Sequence, residues 1–278
     1  MKNEIYEDAY KKSNHFSFGK NWQDFLKTLN NEKIEEAKKS LVDFLDGEEN
    51  IKDKTFIDIG CGSGLFSYAA YKLGAAKVVS VDVDEFSVAC ATHLKEKEGN
   101  PENWEIKKGS VLDSDFILSL GRFDIAYSWG VLHHTGDMYK AFDNILKLMQ
   151  NDSLFYLAIY NKFTHIFKGG TSETWYKIKG IYNNSGYLIK KIMEIFYSTY
   201  SIFLMLLRFK NPFEYIKNYK GNRGMSWHHD NIDWIGGYPY EFASIQEIIS
   251  YFGKKEMYCK NINAVDGLGC NEFLLIKK

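Results

Sequence analysis

The stretch Thr55-Phe56-Ile57-Asp58-Ile59-Gly60-Cys61-Gly62-Ser63-Gly64 decides the fold of this chain. A short β-branched and aromatic run ends in three glycines at every second position, and a helix-like pattern follows directly. This order predicts a strand, a tight turn and the start of a helix. Glycines let a ligand approach the bare backbone, and a helix N-terminus turns its free N–H groups and partial positive charge on that ligand. The turn is therefore expected to form the floor of a nucleotide-like binding site.

The spacing of these glycines distinguishes two kinds of ligand. A dinucleotide fingerprint reads Gly-x-Gly-x-x-Gly and holds a pyrophosphate, whereas this chain has Gly-x-Gly-x-Gly with Asp58 in the preceding strand. A carboxylate so close disfavours a phosphate. It suits a positively charged ligand that carries an amino acid, because Asp58 can hydrogen-bond its ammonium group or order water beside it. The stretch from Asp58 to Gly64 resembles the first motif of the Rossmann-like methyltransferases that use S-adenosylmethionine (SAM).

An acidic residue also ends the second predicted strand, Lys77 to Asp82. A carboxylate at this position accepts hydrogen bonds from the two hydroxyls of a ribose. The alternative, that Asp82 caps the next helix, is weakened because Asp84 is equally placed for that role. We therefore expect Asp82 to bind the ribose, with Val83 beside it.

The third predicted strand, Trp104 to Lys108, leads into a loop that contains Leu112 and Asp113. The resemblance implies that Asp113 accepts from the adenine amino group while the backbone N–H of Leu112 reaches the ring. An aspartate in a loop is more often a cap or turn residue, and that alternative stays open.

A fourth predicted strand, Phe123 to Ser128, runs into Trp129-Gly130-Val131-Leu132-His133-His134. Ligands collect beyond the carboxyl ends of the strands in an open α/β sheet, so this loop lies at the ligand edge. The run from Ser128 to His134 resembles the fourth methyltransferase motif, of which Leu-His-His is a frequent variant. The chain is therefore identified as a member of the class I SAM-dependent methyltransferases. The full set of expected cofactor-binding residues is Asp58, Gly60, Cys61, Gly62, Gly64, Asp82, Val83, Leu112, Asp113, Ser128 and Trp129, and the product would be S-adenosylhomocysteine.

The resemblance implies an α/β fold: a Rossmann-like, seven-stranded sheet with helices on both faces. Ser153 to Tyr160 is expected to be the fifth strand, and Asp137 to cap the helix from Met138 to Met149 before it. Near the C-terminus, Ser244 to Glu247 forms a capping box before a helix. Two further strands, Glu256 to Ile262 and Glu272 to Lys277, are typical of the closing hairpin of that sheet.

Three regions are expected from these patterns. Residues 1–50 form a helical lid, with His15 to Trp22 as the segment over the cofactor or, alternatively, a helical pair packed on the domain. Its two apolar stripes are Phe16, Phe18, Trp22, Phe25 and Leu26, and then Leu41, Val42, Phe44 and Leu45. Residues 51–160 and 241–278 form the SAM-binding core. Residues 161–240 form a mainly helical insertion after the fifth strand that covers the substrate.

Within the insertion, apolar residues recur at helical spacing between Tyr187 and Phe209. The apolar run is too short for a bilayer, which needs about 20 residues, and Lys190, Lys191 and Glu194 interrupt it. We therefore expect a cap helix or the surface of a homodimer, and no membrane span.

The charge and cysteine content of the chain limit the kinds of binding partner that are expected. The chain has 278 residues, 35 basic and 36 acidic side chains and a net charge of −1, so no field for nucleic acid or anionic membrane is expected. Four widely spaced cysteines indicate reduced thiols in a cytoplasmic protein, and the N-terminus has no apolar signal core.

The chemistry requires alignment of the acceptor and, for a hydroxyl acceptor, a base. His133 and His134 are the expected bases, with His134 favoured, because histidine titrates close to working pH. One of the two is expected only to pack or to bond backbone.

A second polar cluster ends the insertion, and its aromatic and polar residues suit a sugar or nucleotide. The expected substrate-binding residues there are Arg223, His228, His229, Asp230, Trp234, Tyr238, Tyr240 and Glu241. The segment Gly236 to Glu241, followed near the C-terminus by Gly267 to Glu272, resembles that of a bacterial subgroup often encoded among surface-polysaccharide genes. The alternative is a structured loop that locks the insertion to the core. His228, His229, Asp230 and Asp233 lack metal-ligand spacing, so no metal is expected.

These observations favour a SAM-dependent O-methyltransferase that acts on a small polar acceptor, such as a sugar or a nucleotide-activated precursor of a surface glycan. Methylation of tRNA or protein is the alternative within enzymes, and the neutral charge disfavours it. A non-catalytic SAM-binding regulatory partner is the alternative from another class.

Overall fold

The computed structural model describes residues 29–165, 170–207, 209–217, 219 and 227–278. The first apolar stripe of the N-terminal region, the segment from His15 to Trp22 and Arg223 lie outside the described residues. The backbone of His229 is described, and its side chain is not.

Seven strands form one mixed sheet in the order β3-β2-β1-β4-β5-β7-β6. The first five strands are parallel, and β7 runs antiparallel to both β5 and β6. The strands are β1 (Thr55–Ile59), β2 (Lys77–Asp82), β3 (Trp104–Lys108), β4 (Phe123–Trp129), β5 (Met149–Tyr160), β6 (Met257–Asn263) and β7 (Cys270–Lys277). The predicted class, a Rossmann-like methyltransferase sheet, is confirmed.

Helices cover both faces of this sheet. The helices are α1 (Asn31–Leu45), α2 (Leu65–Lys72), α3 (Glu85–Lys97), α4 (Ser114–Ser119), α5 (Met138–Leu146), α6 (Ser172–Asn184), α7 (Tyr187–Leu207), α8 (Pro212–Lys217), α9 (Trp227–Gly236) and α10 (Ile245–Gly253). One apolar core joins the sheet to α1, α2 and α3, and another joins it to α4, α5 and α10. Because both faces are covered, the central strands are mostly apolar at successive positions rather than alternating, with a few buried polar side chains such as Asp58, Ser80 and Ser128.

Polar caps fix where several helices begin. Asp84 accepts from the backbone N–H groups of Phe86 and Ser87 at the start of α3, as expected. Asp137 caps α5. Ser244 and Glu247 form the predicted capping box of α10. These caps satisfy N–H groups that the first turn of a helix leaves without partners.

The second apolar stripe of the N-terminal region lies on α1. Leu41, Phe44 and Leu45 are buried against the sheet, and Phe44 stacks on Tyr156 of β5 with the ring centroids 4.1 Å apart. The described part of residues 1–50 is therefore consistent with the alternative of helical structure packed on the domain. The role of the region as a lid stays a prediction.

The insertion leaves and rejoins the core at one place. Asn161 and Ala243 form a parallel bridge, the N–H of Ala243 donates to Tyr160 O at 3.1 Å, and the N–H of Lys162 donates to Ala243 O at 3.1 Å. Between these residues lie α6, α7, α8 and α9. The predicted division into core and insertion is a proposal that this geometry supports.

Candidate cofactor and acceptor site

The glycine turn follows β1 at the carboxyl edge of the sheet. Gly60, Gly62 and Gly64 all have positive φ angles, of 78°, 53° and 79°, which other residues rarely adopt. The N–H groups of Gly60 and Cys61 donate to Val81 O at 2.8 and 3.0 Å. These bonds hold the turn close to the end of β2.

Two of the glycines are also required by their neighbours. A Cβ atom on Gly60 would lie 2.4 Å from a methyl group of Val131, in the loop after β4. A Cβ atom on Gly64 would lie 2.8 Å from Cα of Ala91, so α2 and α3 can approach closely only with glycine there. The glycine spacing thus reflects packing as well as space for a ligand.

Asp58 lies at the end of a chain of buried hydrogen bonds. The indole N–H of Trp104 donates to Ser80 Oγ at 2.8 Å, Ser80 donates to Ser67 Oγ at 2.6 Å, and Ser67 donates to Asp58 Oδ2 at 2.7 Å. Asp58 is only 1% exposed, and its second carboxyl oxygen, Oδ1, is buried with no hydrogen-bond partner in the described part of the chain. A buried oxygen of this kind is costly unless a donor satisfies it.

The protonation of Asp58 is set mainly by burial. Desolvation raises its pKa to about 7, against the Ser67 hydrogen bond, which lowers it, while the nearby charge of Asp82 raises it further. A cationic donor at Oδ1 would reverse this balance, because an opposite charge favours the ionised carboxylate.

Asp82 lies at the carboxyl end of β2 beside the glycine turn. Its Oδ2 accepts from the N–H of Gly62 at 3.0 Å, and its Oδ1 accepts from the N–H of Asp84 at 2.9 Å. Each carboxylate oxygen can accept more than one hydrogen bond, so the group has capacity left for a diol. Burial raises the pKa of Asp82 to about 6. Val83, which follows it, is partly buried.

In the loop after β3, Asp113 acts as a helix cap. Its Oδ1 accepts from the N–H groups of Asp115 and Phe116 at 3.0 and 3.2 Å, at the start of α4. The N–H of Leu112 donates to Ser110 Oγ at 3.2 Å. Contact of Leu112 or Asp113 with adenine remains a prediction.

The structure defines the surroundings of three other expected cofactor-binding residues. The hydroxyl of Ser128 donates to Ile59 O at 2.9 Å and ties β4 to β1. The indole N–H of Trp129 donates to Glu272 Oε1 at 2.6 Å and ties β4 to β7. Cys61 is buried, and desolvation, followed by the charges of Asp82 and Asp58, raises the pKa of its thiol. That shift makes Cys61 a poor nucleophile.

His134 lies in a short 3-10 turn, Leu132–His134, directly after β4. Its Nδ1 is 2.5 Å from the carbonyl oxygen of Pro239. A carbonyl can only accept, so Nδ1 carries the proton, and in the neutral ring Nε2 is then the proton acceptor. The ring is partly exposed. His134 is therefore oriented as a base would be.

His133 has a different environment. It is 1% exposed, its Nδ1 accepts from the N–H of Tyr160 at 3.3 Å, and its ring centroid is 3.9 Å from that of Tyr160. His133 thus packs on Tyr160 and bonds the backbone, and which histidine acts as the base stays a prediction.

The end of the insertion is attached to the histidine turn. The N–H of Glu241 donates to His133 O at 2.8 Å, and its carboxylate accepts from the N–H of Met138 at the start of α5 at 3.1 Å. Tyr240 is buried, with its ring centroid 4.9 Å from that of Tyr160. Tyr240 and Glu241 thus lock the insertion to the core, as expected if this segment is a structured loop.

The remaining expected substrate residues lie on α9 and just after it. His228 is exposed, and Asp230 accepts from the hydroxyl of Tyr219 at 2.6 Å. The ring of Trp234 meets Tyr160 and Trp175 at centroid distances of 5.8 and 5.2 Å. Trp234 therefore connects the insertion to the histidine turn through Tyr160. Tyr238, also expected to bind substrate, is partly buried.

Sequence reasoning missed Lys179 of α6. Its side chain is fully buried, donates to Trp234 O, and lies 4.5 Å from the ring centroid of Trp234 and 4.9 Å from that of Tyr240. Burial lowers its pKa to about 7, partly offset by Asp233. Lys179 has a sequence context similar to that of Lys177 and Lys190, so no local pattern predicts that it is the buried lysine. Ser67 and Ser80 were also missed, although each is polar within an apolar run.

Within the described part of the chain, no group of three or more His, Cys, Asp or Glu side chains is arranged to hold a metal ion. All four cysteines belong to that part, and all four are free thiols. No helix of the described ranges is long and apolar enough to cross a membrane.

Residues 50–199 match the family model described as a methyltransferase domain. The chain belongs to this family. A stretch of 82 residues is 34% identical to the ribosomal protein L11 methyltransferase of Haemophilus influenzae (strain PittEE), and this match covers 28% of each protein. The L11 methyltransferase of Syntrophomonas wolfei is 46% identical over 57 residues, or 20% of this chain and 19% of that protein. The match to each of these relatives therefore covers less than a third of that relative's length.

Solved structures show the same fold for this methyltransferase-domain chain. The magnesium protoporphyrin IX methyltransferase of Synechocystis PCC 6803, with bound S-adenosylhomocysteine, superposes with a TM-score of 0.56, 14% identity and 99% coverage of both chains. PKMT2 of Rickettsia typhi, in complex with the same product, has a TM-score of 0.55 and 14% identity, over 82% of this chain and 50% of that one. The expected enzyme class, a SAM-dependent methyltransferase, and its expected cofactor agree with these findings.

Proposed function

We propose that this methyltransferase O-methylates a small polar acceptor, such as a sugar or a nucleotide-activated precursor of a surface glycan. The proposal depends chiefly on His134. Its Nδ1–H bond to the Pro239 carbonyl fixes the tautomer in which Nε2 is the basic nitrogen of the ring, at the carboxyl edge of the sheet. A hydroxyl acceptor benefits from such a base, whereas a phosphate or carboxylate oxygen needs none.

The residues around the glycine turn fit SAM, which supplies an activated methyl group on a sulfonium. Asp58 Oδ1 is a buried oxygen that needs a donor, and the ammonium group of a bound amino acid is such a donor. Asp82 would accept from the ribose hydroxyls, with Val83 beside it. Leu112 and Asp113 would contact the adenine. Gly60, Cys61, Gly62 and Gly64 would form the floor, and Ser128 and Trp129 would support the opposite side through the backbone of β4.

In this proposal the acceptor lies between the histidine turn and the insertion. His134 takes the proton of the acceptor hydroxyl at Nε2, and the Pro239 carbonyl stabilises the charged imidazole through Nδ1. His133 holds the turn in place. Trp234 and Tyr238 supply apolar and aromatic surface near the acceptor, and Asp230 and His228 supply polar contacts. The expected roles of Arg223 and His229 stay predictions, because neither side chain belongs to the described part of the structure. Tyr240 and Glu241 act by positioning this segment.

The substrate class rests on the resemblance of Gly236 to Glu241, with Gly267 to Glu272 near the C-terminus, to the polysaccharide-associated bacterial subgroup. Reduced thiols support a cytoplasmic location, where nucleotide-activated sugars would be accessible. A homodimer through the insertion also remains a proposal.

Protein methylation is the second candidate, because the relatives named above are ribosomal protein L11 methyltransferases. Their matches are too short to include both the core and the insertion, so they carry little weight for the acceptor. Methylation of tRNA and a non-catalytic, SAM-binding role are further candidates that the same experiment separates.

The test is transfer of a labelled methyl group from SAM by the full chain. The acceptors are a set of nucleotide sugars, the corresponding free sugars, purified L11 protein and unmodified tRNA. We expect transfer to at least one sugar-containing acceptor, in a product stable to mild base as an ether is. Transfer to L11 or tRNA alone would reject the sugar proposal. SAM binding without transfer to any acceptor would favour the non-catalytic role.

A further inference from the structure

Helix α7 exposes its apolar side. A surface helix normally turns its apolar stripe to the core and its polar residues to water. On one side of α7 the exposed fraction of the large apolar side chains ranges from 41% for Tyr200 to 74% for Phe196. They recur at spacings of three and four residues, which places them on one face: Ile192, Ile195, Phe196, Tyr200, Phe203 and Leu207. We call this the α7 apolar face.

The side of α7 that carries Glu194 faces the protein. Glu194, the one acidic residue of the helix, is buried, and it accepts from the hydroxyl of Tyr182 at 2.8 Å and from Lys191 at 2.6 Å. Burying a carboxylate is costly unless it is paired, so the bond from Tyr182 of α6 fixes the rotation of α7 about its axis, while Lys191 of α7 itself balances the charge of Glu194. The exposure of the opposite face is therefore a property of the fold.

The charge of the insertion is opposite to that of the core. Residues 161–240 contain eleven Lys and Arg but only five Asp and Glu, for a formal charge of +6, whereas the rest of the chain carries −7. The net charge of −1 conceals this difference. Lys190 and Lys191 lie near one end of α7, and Lys210 lies just beyond the other. A basic segment that displays apolar and aromatic side chains is typical of helices that lie in the headgroup region of a membrane.

We propose that the α7 apolar face docks on the surface of an anionic lipid bilayer, with the helix parallel to the membrane plane. Charge favours this occupant over a second copy of the chain. A symmetric dimer through this face would bring two insertions of charge +6 together, and like charges oppose that contact. An anionic surface instead attracts the insertion and repels the core, which also orients the enzyme. This inference does not depend on which acceptor is methylated.

The test is sedimentation of the full chain with vesicles. One set consists of phosphatidylglycerol and phosphatidylcholine, and the other of phosphatidylcholine alone. We expect binding to the anionic vesicles that weakens with added salt, because screening reduces attraction to the headgroups. The double variant Phe196→Asp/Phe203→Asp should weaken binding by at least about tenfold, because it removes apolar contact and adds like charge to the lipid.

Matched control variants distinguish binding through the α7 apolar face from nonspecific adsorption to lipid. Leu118 of α4 is 59% exposed and lies outside the insertion, so Leu118→Asp should leave binding unchanged. Lys210→Glu should weaken binding, whereas Lys39→Glu on the exposed side of α1 should not. The circular dichroism and thermal midpoint of each variant report whether the fold is intact.

Three outcomes would overturn the proposal. The first is absence of vesicle binding at low salt by the folded wild-type chain. The second is equal loss of binding in Leu118→Asp and in the α7 double variant. The third is a concentration-dependent dimer, measured by analytical ultracentrifugation, that the α7 double variant abolishes while vesicle binding is absent. That last result would assign the face to a second copy.

Discussion

The hydroxyl of Ser67 donates to Asp58 Oδ2 at 2.7 Å, while Asp58 Oδ1 is buried and has no partner among the described residues. One oxygen of the carboxyl group is thus fixed by the protein, and under the proposed function the second oxygen binds the ligand. The fixed oxygen gives the group a defined direction. A hydrogen bond to a charged group contributes about 1.5–3 kcal/mol.

We therefore expect Asp58→Asn to weaken SAM binding by about tenfold to a hundredfold. Titration calorimetry measures the affinity. Asp124→Asn is the matched control, because Asp124 also accepts backbone and hydroxyl donors, from Thr55, but at the start of β4 and away from the ligand edge. It should lower stability without changing the affinity. Equal affinities of Asp58→Asn and wild type would remove Asp58 from the site.

The buried acids predict how stability depends on pH. Burial raises the pKa of Asp58 to about 7 and that of Asp82 to about 6, and both groups have a pKa near 3.9 in the unfolded chain. Between about pH 4 and pH 7 the folded state holds more protons at these groups than the unfolded state does. Their contribution to the free energy of unfolding is therefore greatest at low pH and is lost as pH rises through this window.

Urea unfolding at several pH values tests this prediction. The double variant Asp58→Asn/Asp82→Asn should gain stability relative to wild type as pH rises from about 4 to 7. A constant difference between the two proteins across that range would show that neither carboxyl group is protonated in the folded state.

His134 predicts a loss of rate without a loss of cofactor binding. His134→Gln keeps a polar side chain of similar length but removes the proton acceptor, and kcat should fall by about 10²- to 10⁴-fold. The decline of wild-type activity at acidic pH, where a protonated imidazole cannot accept, should be absent in this variant. Labelled methyl transfer and SAM titration together measure both quantities.

His133→Asn is the comparison for His134. Asparagine can still accept from the N–H of Tyr160, but it loses the ring contact with that residue. It should lower stability while retaining the acidic decline in activity. The proposed assignment fails if His133→Asn removes this decline and His134→Gln retains it.

Lys179 predicts a pH dependence in the alkaline range. Burial lowers its pKa to about 7, whereas a lysine in the unfolded chain has a pKa near 10.4. Between about pH 7 and pH 10 the unfolded state therefore binds more protons, and stability rises with pH by at most about 1.4 kcal/mol per unit from this group. Lys179→Met should remove this slope, while Lys177→Met, on the exposed side of the same helix, should keep it. Identical slopes for the two variants would contradict the depressed pKa.

The glycines predict a packing cost that can be separated from backbone strain. Gly64 and Gly99 have nearly equal φ angles, of 79° and 78°, but a Cβ on Gly64 would strike the backbone of Ala91, whereas a Cβ on Gly99 meets nothing within 4 Å. Gly99→Ala should cost about 1 kcal/mol from strain alone. Gly64→Ala should cost about 1–3 kcal/mol more, because the contact overpacks the interface between α2 and α3. Equal unfolding free energies of the two variants would exclude this packing role.

Local patterns were sufficient to predict most of the core. Apolar residues dominate the central parallel strands β1, β2 and β4, and Asp84 and the Ser244–Glu247 box act within one turn of helix. The predicted ends of helices and strands differ from the observed ends where two elements adjoin in the chain. The helix capped by Asp137 ends at Leu146 rather than Met149, because Met149 already pairs with Phe123 as the start of β5.

Contacts between distant parts of the chain could not be predicted. The bond from Trp129 to Glu272 and that from His134 to Pro239 join residues about a hundred or more positions apart, and no local spacing encodes them. The periodicity of α7 indicated an amphipathic helix, but not that a buried Glu194 would turn its apolar side outward. Packing of neighbouring helices decides that rotation.

The closure of the insertion at Tyr160, Asn161 and Ala243 has a consequence for engineering. Because the chain leaves and re-enters the core through one bridge, residues 163–237 can be replaced by another segment without a change in the order of the sheet. Residues Tyr238 to Ala243 must be kept in such an exchange, since Pro239 and Glu241 hold the histidine turn. Under the proposed function, such an exchange would transfer acceptor preference between members of this family.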